Sequence, residues 1–258
     1  MVRLLSGLVL AAATLAAILF LPPPALRVVA VLVALAASFE YVAIARRMNV
    51  APSTWVAVVL VVAACWWMSV PGRAAMGLLV IAALGLLLVD VLFGGKSLPD
   101  ASVALVAPVY LGVPLGTLVA VHALGGRGAV LLLIATVVVS DSAQYYSGRA
   151  FGRHALAPTI SPKKTIEGAI GGVLFGTLVM VVGGGWVFPL ARQTMLLVMG
   201  VAIVLLGIAG DLFESRLKRI AGIKDSSTLI PGHGGVLDRI DALLFASPGF
   251  YLFLNLVL

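Results

Sequence analysis

Residues 195–212 read MLLVMGVAIVLLGIAGDL, and residues 215–241 read SRLKRIAGIKDSSTLIPGHGGVLDRID. The first segment is an apolar run close to the length that crosses a bilayer as a helix. The second segment holds five basic residues, three carboxylates and a histidine, and another apolar run follows it. Charge is costly beside hydrocarbon unless it has a function, so this charged segment is the best candidate for an active site.

The composition of the whole chain indicates a membrane protein. The chain is 62% hydrophobic and only 10% charged, whereas soluble domains carry about 25% charged residues. Its apolar runs are continuous rather than alternating, which favours helices over a barrel. The sequence therefore predicts an all-α polytopic membrane protein with about nine transmembrane helices, eight being the alternative. The predicted spans are 4–21, 25–45, 54–70, 76–93, 103–124, 129–146, 168–187, 195–212 and 236–257.

The basic residues predict the orientation in the membrane. If nine helices alternate, twelve of the seventeen lysines and arginines fall on one side, which the positive-inside rule makes cytoplasmic. The amino terminus and the charged segment then lie inside, and the carboxyl terminus lies outside, in a cell (inner) membrane. The first apolar run is too long for a signal peptide, so we expect it to be retained. The net charge of +7 comes without a nucleic-acid-binding motif, which favours membrane lipids over nucleic acid as partners.

The acidic residues concentrate in the second half of the chain. Three of them, Glu40 included, lie in the first hundred residues, and the other seven lie within 141–241. We therefore expect residues 1–130 to be membrane scaffold and residues 131–258 to be the catalytic region of one integral unit. Cys65 is the only cysteine, which excludes an internal disulfide and a cysteine-based metal site.

A second polar segment, 141–172, follows the predicted sixth span. Asp141 is expected near the cytoplasmic end of that span, where a cation or a basic partner would offset its charge. Ser161 suits a helix N-cap and is followed by proline, so the seventh span is predicted to begin there. Lys163 and Lys164 would then occupy the first turn, where they oppose the helix macrodipole unless an anion binds. A phosphate-binding site and topology-setting lysines at the membrane surface are the two interpretations.

Three aspartates are candidate cation ligands. Asp211 is predicted to end the eighth span, whereas Asp238 and Asp241 are three residues apart at the start of the ninth and so share one helical face. Paired carboxylates suit Mg²⁺, which usually also takes water and substrate phosphates. The alternative is that these acids form ion pairs with Arg239 or Lys218.

The sequence PGHGG at 231–235 interrupts any helix. Its glycines permit dihedral angles closed to other residues, so backbone N–H groups could converge on an anion there. His233 is open to two interpretations: it contacts a phosphate or assists proton transfer, or it is a hydrogen-bonding loop residue.

These segments carry a resemblance to a known family. Residues 215–241 resemble the signature of the phosphatidate cytidylyltransferase (CDP-diacylglycerol synthase) family at every defined position, and SPKKTIEG at 161–168 resembles another element of that family. The similarity extends over residues 141–241. The family usually has a small residue where this chain has Gln144, and this departure leaves the roles of Gln144 and Tyr145 open.

The resemblance implies an enzyme of phospholipid biosynthesis that transfers a cytidylyl group from CTP to phosphatidate, giving CDP-diacylglycerol and pyrophosphate. It also implies Mg²⁺ as cofactor and a homodimer. Three aspartates are expected to hold one or two cations, while basic residues clamp the phosphates. The expected catalytic residues are Asp211, Asp238, Asp241 and Lys218, and the expected substrate-binding residues are Lys163, Lys164, Arg219, Lys224, Asp225, His233, Gly234, Gly235, Arg239, Asp141 and Ser161.

Two other functions are compatible with the same residues. The first is a related CTP-using enzyme that acts on a prenyl lipid or polyprenol instead of phosphatidate. The second is a transporter or channel whose charged half lines an anion pathway. Transport would place polar groups at mid-bilayer on several helices, whereas the polar residues of this sequence gather near one predicted surface.

Overall fold

The computed structural model describes residues 2–69, 81, 83–86, 89–92 and 94–257. A π-helical turn, Pro108–Gly112, joins two of its helices, and the strands β1 (Ala155–Ala157) and β2 (Ser161–Thr165) pair as an antiparallel hairpin. The helices are α1 (Val2–Phe20), α2 (Pro23–Arg47), α3 (Thr54–Met68), α4 (Leu98–Ala107), α5 (Val113–Phe151), α6 (Ile166–Val187), α7 (Gln193–Ile220) and α8 (Leu237–Val257).

The prediction of a helical membrane protein is confirmed. Among the described residues, four helical stretches are long and apolar enough to cross a membrane: α2, the stretch Leu98–Phe151, α6 and α7. Helix α8 coincides with the predicted ninth span, although it is not one of these four. The count of nine stays a prediction, because the predicted span 76–93 lies largely outside the described residues.

Two helices extend beyond their predicted spans. Helix α5 turns at Gly126, whose φ is 70°, and then continues to Phe151, five residues beyond the predicted end of the sixth span at residue 146. Helix α7 continues to Ile220, which places Asp211 well inside a helix instead of at its end. Polar residues can prolong a membrane helix into the interface because the backbone stays hydrogen-bonded there. The basic residues in the last turn of α7 also favour its macrodipole.

The predicted start of the seventh span at Ser161 is wrong. Ser161 lies in strand β2, and helix α6 starts at Ile166 with Thr165 as its N-cap. The Thr165 hydroxyl accepts a hydrogen bond from the Gly168 backbone N–H at 3.1 Å. Lys163 and Lys164 therefore lie in a strand, so they do not oppose a helix macrodipole, and the argument for a phosphate at that helix terminus no longer holds.

The chain divides into two compact units, each built from two segments. The first unit comprises Met1–Ala120 and Leu217–Ile240, and the second comprises Val121–Arg216 and Asp241–Leu258. The expected division into scaffold and catalytic regions concerns function and stays a prediction.

In the first unit, α3 packs against α2 and against the π-helical turn. A glycine allows this close approach: a Cβ at Gly112 would lie 2.5 Å from the Val61 carbonyl oxygen and 2.7 Å from the Ala64 Cβ. The aromatic rings of Tyr41 and Tyr110 lie 5.8 Å apart within the same core. Cys65 is fully buried there, as its place in an apolar span suggests.

In the second unit, glycines bring α6 against α5. A Cβ at Gly168 would lie 2.7 Å from the Gln144 carbonyl oxygen, and a Cβ at Gly176 would lie 3.0 Å from the Ser140 Cβ. Small residues let membrane helices approach closely and gain van der Waals contact. An aromatic pair lies in this core: the rings of Phe188 and of Phe250 in α8, both buried, are 6.5 Å apart.

The packing at Gly112 can be tested by substitution. We expect Gly112→Ala to lower stability by about 1–3 kcal/mol, because the added methyl group meets the backbone of α3, which cannot turn aside. Thermal unfolding in detergent measures the change. Gly185→Ala is the matched control, since nothing lies within 4 Å of its added Cβ. Equal unfolding temperatures for the two variants would contradict the close approach of these helices.

Candidate active site

The loop between α7 and α8 is a compact turn in the first unit. The Ile230 N–H donates to the Gly234 carbonyl at 2.8 Å, and the His233 N–H donates back to the Ile230 carbonyl at 2.9 Å. Gly232 and Gly234 have φ values of 75° and 79°, a conformation that side-chain-bearing residues rarely adopt. The PGHGG sequence therefore forms the tight, glycine-dependent turn that its composition predicts.

Asp238, in the first turn of α8, organises this loop. Its Oδ1 accepts from Lys218 Nζ at 2.5 Å. Its Oδ2 accepts from the Ser226 N–H and hydroxyl, both at 2.9 Å, and from the Gly235 N–H at 2.8 Å. Asp238 thus forms the ion pair with Lys218 that was the alternative interpretation, and both of its oxygens are engaged by the protein. Its predicted role as a cation ligand stays a prediction.

Sequence reasoning missed Glu40 as a part of this site. Glu40 lies in α2, in the half of the chain assigned to scaffold, yet its carboxylate accepts four hydrogen bonds from the loop and the start of α8. The available signal was a single carboxylate within a long apolar run, which implies a partner elsewhere. The partners themselves could not be identified from sequence, because they are about 190 residues away along the chain.

Helix α1 also contacts the loop. The Ser6 hydroxyl donates to the Pro231 carbonyl at 3.0 Å, and its oxygen lies 2.8 Å from His233 Nδ1. His233 therefore has the hydrogen-bonding role of the second interpretation. Its predicted contact with substrate stays a prediction.

The second unit holds a separate group of charged side chains. Lys164 in β2 forms an ion pair with Asp211 in α7, and the Ser215 hydroxyl donates to the other oxygen of Asp211 at 3.2 Å. The charge of Asp141 in α5 interacts with the like charges of Asp211 and Asp241 and with the opposite charge of Lys164. This unit therefore brings together four of the residues predicted for the site.

The hairpin orients the lysine of this group. Side chains alternate across a strand, and Lys163 is exposed whereas Lys164 is partly buried against Asp211. The base of the hairpin is fixed by Glu167, whose carboxylate accepts from His154 Nδ1 at 2.6 Å and from the Arg153 N–H at 3.1 Å. Sequence reasoning did not single out Glu167, although an acid in the first turn of a helix is a favourable signal.

Gln144 has a contact in this group. Its side-chain amide donates to Asp141 Oδ1 at 3.1 Å and to the Ser140 hydroxyl at 3.3 Å. Tyr145 is exposed and close to Arg149, whose guanidinium donates to the Tyr145 hydroxyl at 3.4 Å. Gln144, the residue that departs from the expected pattern, therefore orients one of the carboxylates.

Other predicted substrate-binding residues are exposed or half-buried. Ser161 is half-buried in β2, and the guanidinium of Arg219 donates to the Ile223 carbonyl at 3.2 Å. Their predicted contacts with substrate stay predictions. The exposed members of the predicted set include Lys163, Arg219, Lys224, Asp225 and Arg239.

The carboxylates of the second unit suit a magnesium ion that is held jointly with substrate. Among the described residues, no group of three His, Cys, Asp or Glu side chains is arranged to hold a metal by itself. Mg²⁺ normally needs only one or two carboxylates, with phosphates and water completing its shell. The charge of Asp141 is repelled by those of Asp211 and Asp241, and a divalent cation would offset that repulsion.

Comparison with known proteins gives the family. The sequence model of the cytidylyltransferase family matches residues 1–257. A phosphatidate cytidylyltransferase of Haemophilus influenzae is 44% identical over 138 residues, which are 51% of this chain and 48% of that protein. One of Aquifex aeolicus is 44% identical over 122 residues, 47% of this chain and 45% of that protein. The uncharacterized protein YnbB of Escherichia coli is 43% identical over 131 residues, 51% of this chain and 44% of that protein.

The chain thus spans about half the length of these curated relatives. The family match, in contrast, extends over nearly all of its 258 residues. The chain belongs to the cytidylyltransferase family.

Proposed function

We propose that this chain is a membrane phosphatidate cytidylyltransferase, which makes CDP-diacylglycerol and pyrophosphate from CTP and phosphatidate. The observation that carries the proposal is the group in the second unit, where Lys164 pairs with Asp211 beside Asp141 and Asp241. In phosphoryl-transfer enzymes, carboxylates bind the cation and a lysine binds the phosphates of a nucleoside triphosphate. Relatives named phosphatidate cytidylyltransferase support the choice of lipid.

In the proposed reaction, a phosphate oxygen of phosphatidate forms a bond to the α-phosphorus of CTP. The bond between that phosphorus and the bridging oxygen to the β-phosphorus breaks, and pyrophosphate leaves with the electron pair. A lipid phosphate is already largely ionised near neutral pH, so the reaction needs no strong general base. Positioning and charge stabilisation then supply most of the rate acceleration, as in other phosphoryl transfers.

Different residues of this chain are proposed to bind the cation and the phosphates. Asp211 and Asp241, together with Asp141, are the candidates to hold Mg²⁺ in the second unit. Mg²⁺, when bound, would neutralise charge on the nucleotide phosphates. Lys164 would bind an anionic oxygen, and its pairing with Asp211 holds the ammonium group beside the carboxylates until substrate arrives.

Orientation and assembly are also part of the proposal. We infer from the asymmetry of basic residues that the amino terminus and the charged segment face the cytoplasm and that the carboxyl terminus is outside. The homodimer implied by the family resemblance stays a prediction. Cysteines introduced singly before α1 and after α8, in a Cys65→Ala background, would test the orientation by labelling intact cells with an impermeant maleimide.

The first experiment is a direct assay. Purified protein in detergent or vesicles is given phosphatidate, CTP and Mg²⁺, and the lipid product is identified by mass. We expect CDP-diacylglycerol together with one equivalent of pyrophosphate. A product formed from polyprenol phosphate but not from phosphatidate would indicate the related prenyl-lipid activity instead. Anion flux without CTP chemistry would favour the transporter.

The role of Lys164 is tested against its neighbour. Lys164→Ala should lower kcat/KM by roughly 100-fold, because an aligned charge contact to the reacting phosphates is lost. Lys163→Ala removes the same charge from the same strand, but at an exposed position, so we expect a much smaller loss. Steady-state kinetics with CTP varied measures kcat/KM for both variants. Equal losses of kcat/KM would contradict a specific role for Lys164.

The cation dependence gives another prediction. EDTA should abolish turnover and added Mg²⁺ should restore it, while Asp211→Asn should raise the Mg²⁺ concentration that gives half-maximal rate, because the site loses a carboxylate. The same loss of charge at Asp100, in Asp100→Asn, should leave that concentration unchanged, because Asp100, at the start of α4, bonds to Ala51 and Ser97. An unaltered Mg²⁺ requirement in Asp211→Asn would remove Asp211 from the cation site.

A further inference from the structure

Glu40 is a buried carboxylate in the apolar helix α2, with 6% of its surface exposed. Its Oε1 accepts from the Ser227 hydroxyl at 2.7 Å and from the Val236 N–H at 3.0 Å. Its Oε2 accepts from the Ser226 hydroxyl and from the Leu237 N–H, both at 2.8 Å. Four donors from the segment 226–237 therefore converge on this one carboxylate.

Two of these donors are backbone N–H groups at the start of α8. The first N–H groups of a helix have no partner within the helix, and they carry the positive end of its macrodipole. A carboxylate supplied by another helix satisfies them and is favoured by that dipole. The PGHGG turn was expected to bind an anion. At the next two residues, Val236 and Leu237, that anion is the carboxylate of Glu40.

Glu40 is linked to Asp238 through Ser226. The Ser226 hydroxyl lies 2.8 Å from Glu40 Oε2 and 2.9 Å from Asp238 Oδ2, so its single proton serves both carboxylates. Asp238 in turn binds Lys218 at 2.5 Å. Since this connection runs from α2 through Ser226 to the ion pair of α7 and α8, displacement of Glu40 would disturb both ends of the loop.

Gly235 shows how closely the loop is fitted to this carboxylate. A Cβ at Gly235 would meet the Ser226 hydroxyl oxygen and both carboxylate oxygens of Glu40, with Oε1 at 2.5 Å. None of these atoms can move away without losing a hydrogen bond. The absence of a side chain at Gly235 is therefore required by the position of Glu40.

We propose that Glu40 is a positioning residue for the reaction: it holds the segment 226–237, and with it the ion pair Lys218–Asp238, in a single arrangement. The inference rests on the proposed function. Glu40 acts through Ser226, Ser227 and the two backbone N–H groups, not by contact with substrate. An acid within a membrane helix is costly unless it has partners, and here the partners all lie within residues 226–237, inside the segment that resembles the family signature.

Glu40→Gln is the decisive variant because glutamine has nearly the same shape. Its amide oxygen can still accept two hydrogen bonds, whereas its NH₂ group would face one serine hydroxyl, which can turn to accept, and one backbone N–H of residues 236–237, which loses its acceptor. We expect faster deuterium exchange at the amides of residues 235–237 and a fall in kcat of about 10- to 100-fold, the size expected when reacting groups are misplaced. The KM for CTP should change much less than kcat, because Glu40 does not touch substrate.

Ser38→Ala is the matched control. Ser38 is fully buried on the same helix, and its hydroxyl donates to the Leu35 carbonyl within that helix at 2.7 Å. It should leave both loop exchange and kcat unchanged. Unchanged loop exchange and kcat in Glu40→Gln would overturn the proposal, as would equal losses in Glu40→Gln and Ser38→Ala.

A milder variant covers the case in which Glu40→Gln does not fold. Ser227→Ala removes one donor and leaves the carboxylate in place, so exchange at residues 235–237 should rise by a smaller factor. Unchanged exchange in Ser227→Ala would count against the proposal. The exchange measurement needs no substrate, so it still tests Glu40 if the wild-type protein does not act on CTP and phosphatidate. Failure of the proposed function and failure of this inference are thereby distinguished.

Discussion

Carboxylates that lie within or beside apolar helices must find donors or cations inside the protein, and this constraint explains most of the site. Glu40 accepts four hydrogen bonds, and Asp238 accepts four, including one from Lys218. Both carboxylates are buried in the protein, so water cannot replace these partners and each missing donor would be costly. The loop between α7 and α8 is folded by this requirement, and its glycines are present where side chains would exclude the carboxylates.

The two units use charge differently. In the first unit, the carboxylates of Glu40 and Asp238 are engaged by hydroxyl groups, backbone N–H groups and a lysine, which suits a structural role. In the second unit, the charge of Asp141 interacts with the like charges of Asp211 and Asp241 and with the opposite charge of Lys164. Like charges in one place are unfavourable until a cation joins them. That difference is why we propose cation binding for the second unit and loop positioning for the first.

Strand β2 alters the argument for the lysines. A helix N-terminus would have presented Lys163 and Lys164 together to an anion, whereas a strand separates them onto opposite faces. Lys164 meets Asp211, and Lys163 remains exposed. We therefore propose for Lys164 the phosphate contact that was expected of the pair. The N-cap role expected of Ser161 belongs to Thr165.

The sequence by itself determined the helical membrane character, the charged segment and the residues that resemble the family, because hydropathy and motif spacing are local properties. Helix ends were predicted less well: residues 147–151 and 213–220 lie beyond the predicted spans, yet their backbone continues the helix. Only the tertiary structure showed that Glu40 belongs to the loop near residue 230 and that Lys164 pairs with Asp211. Such pairings depend on how distant helices pack, and no local pattern specifies which donor a buried carboxylate will meet.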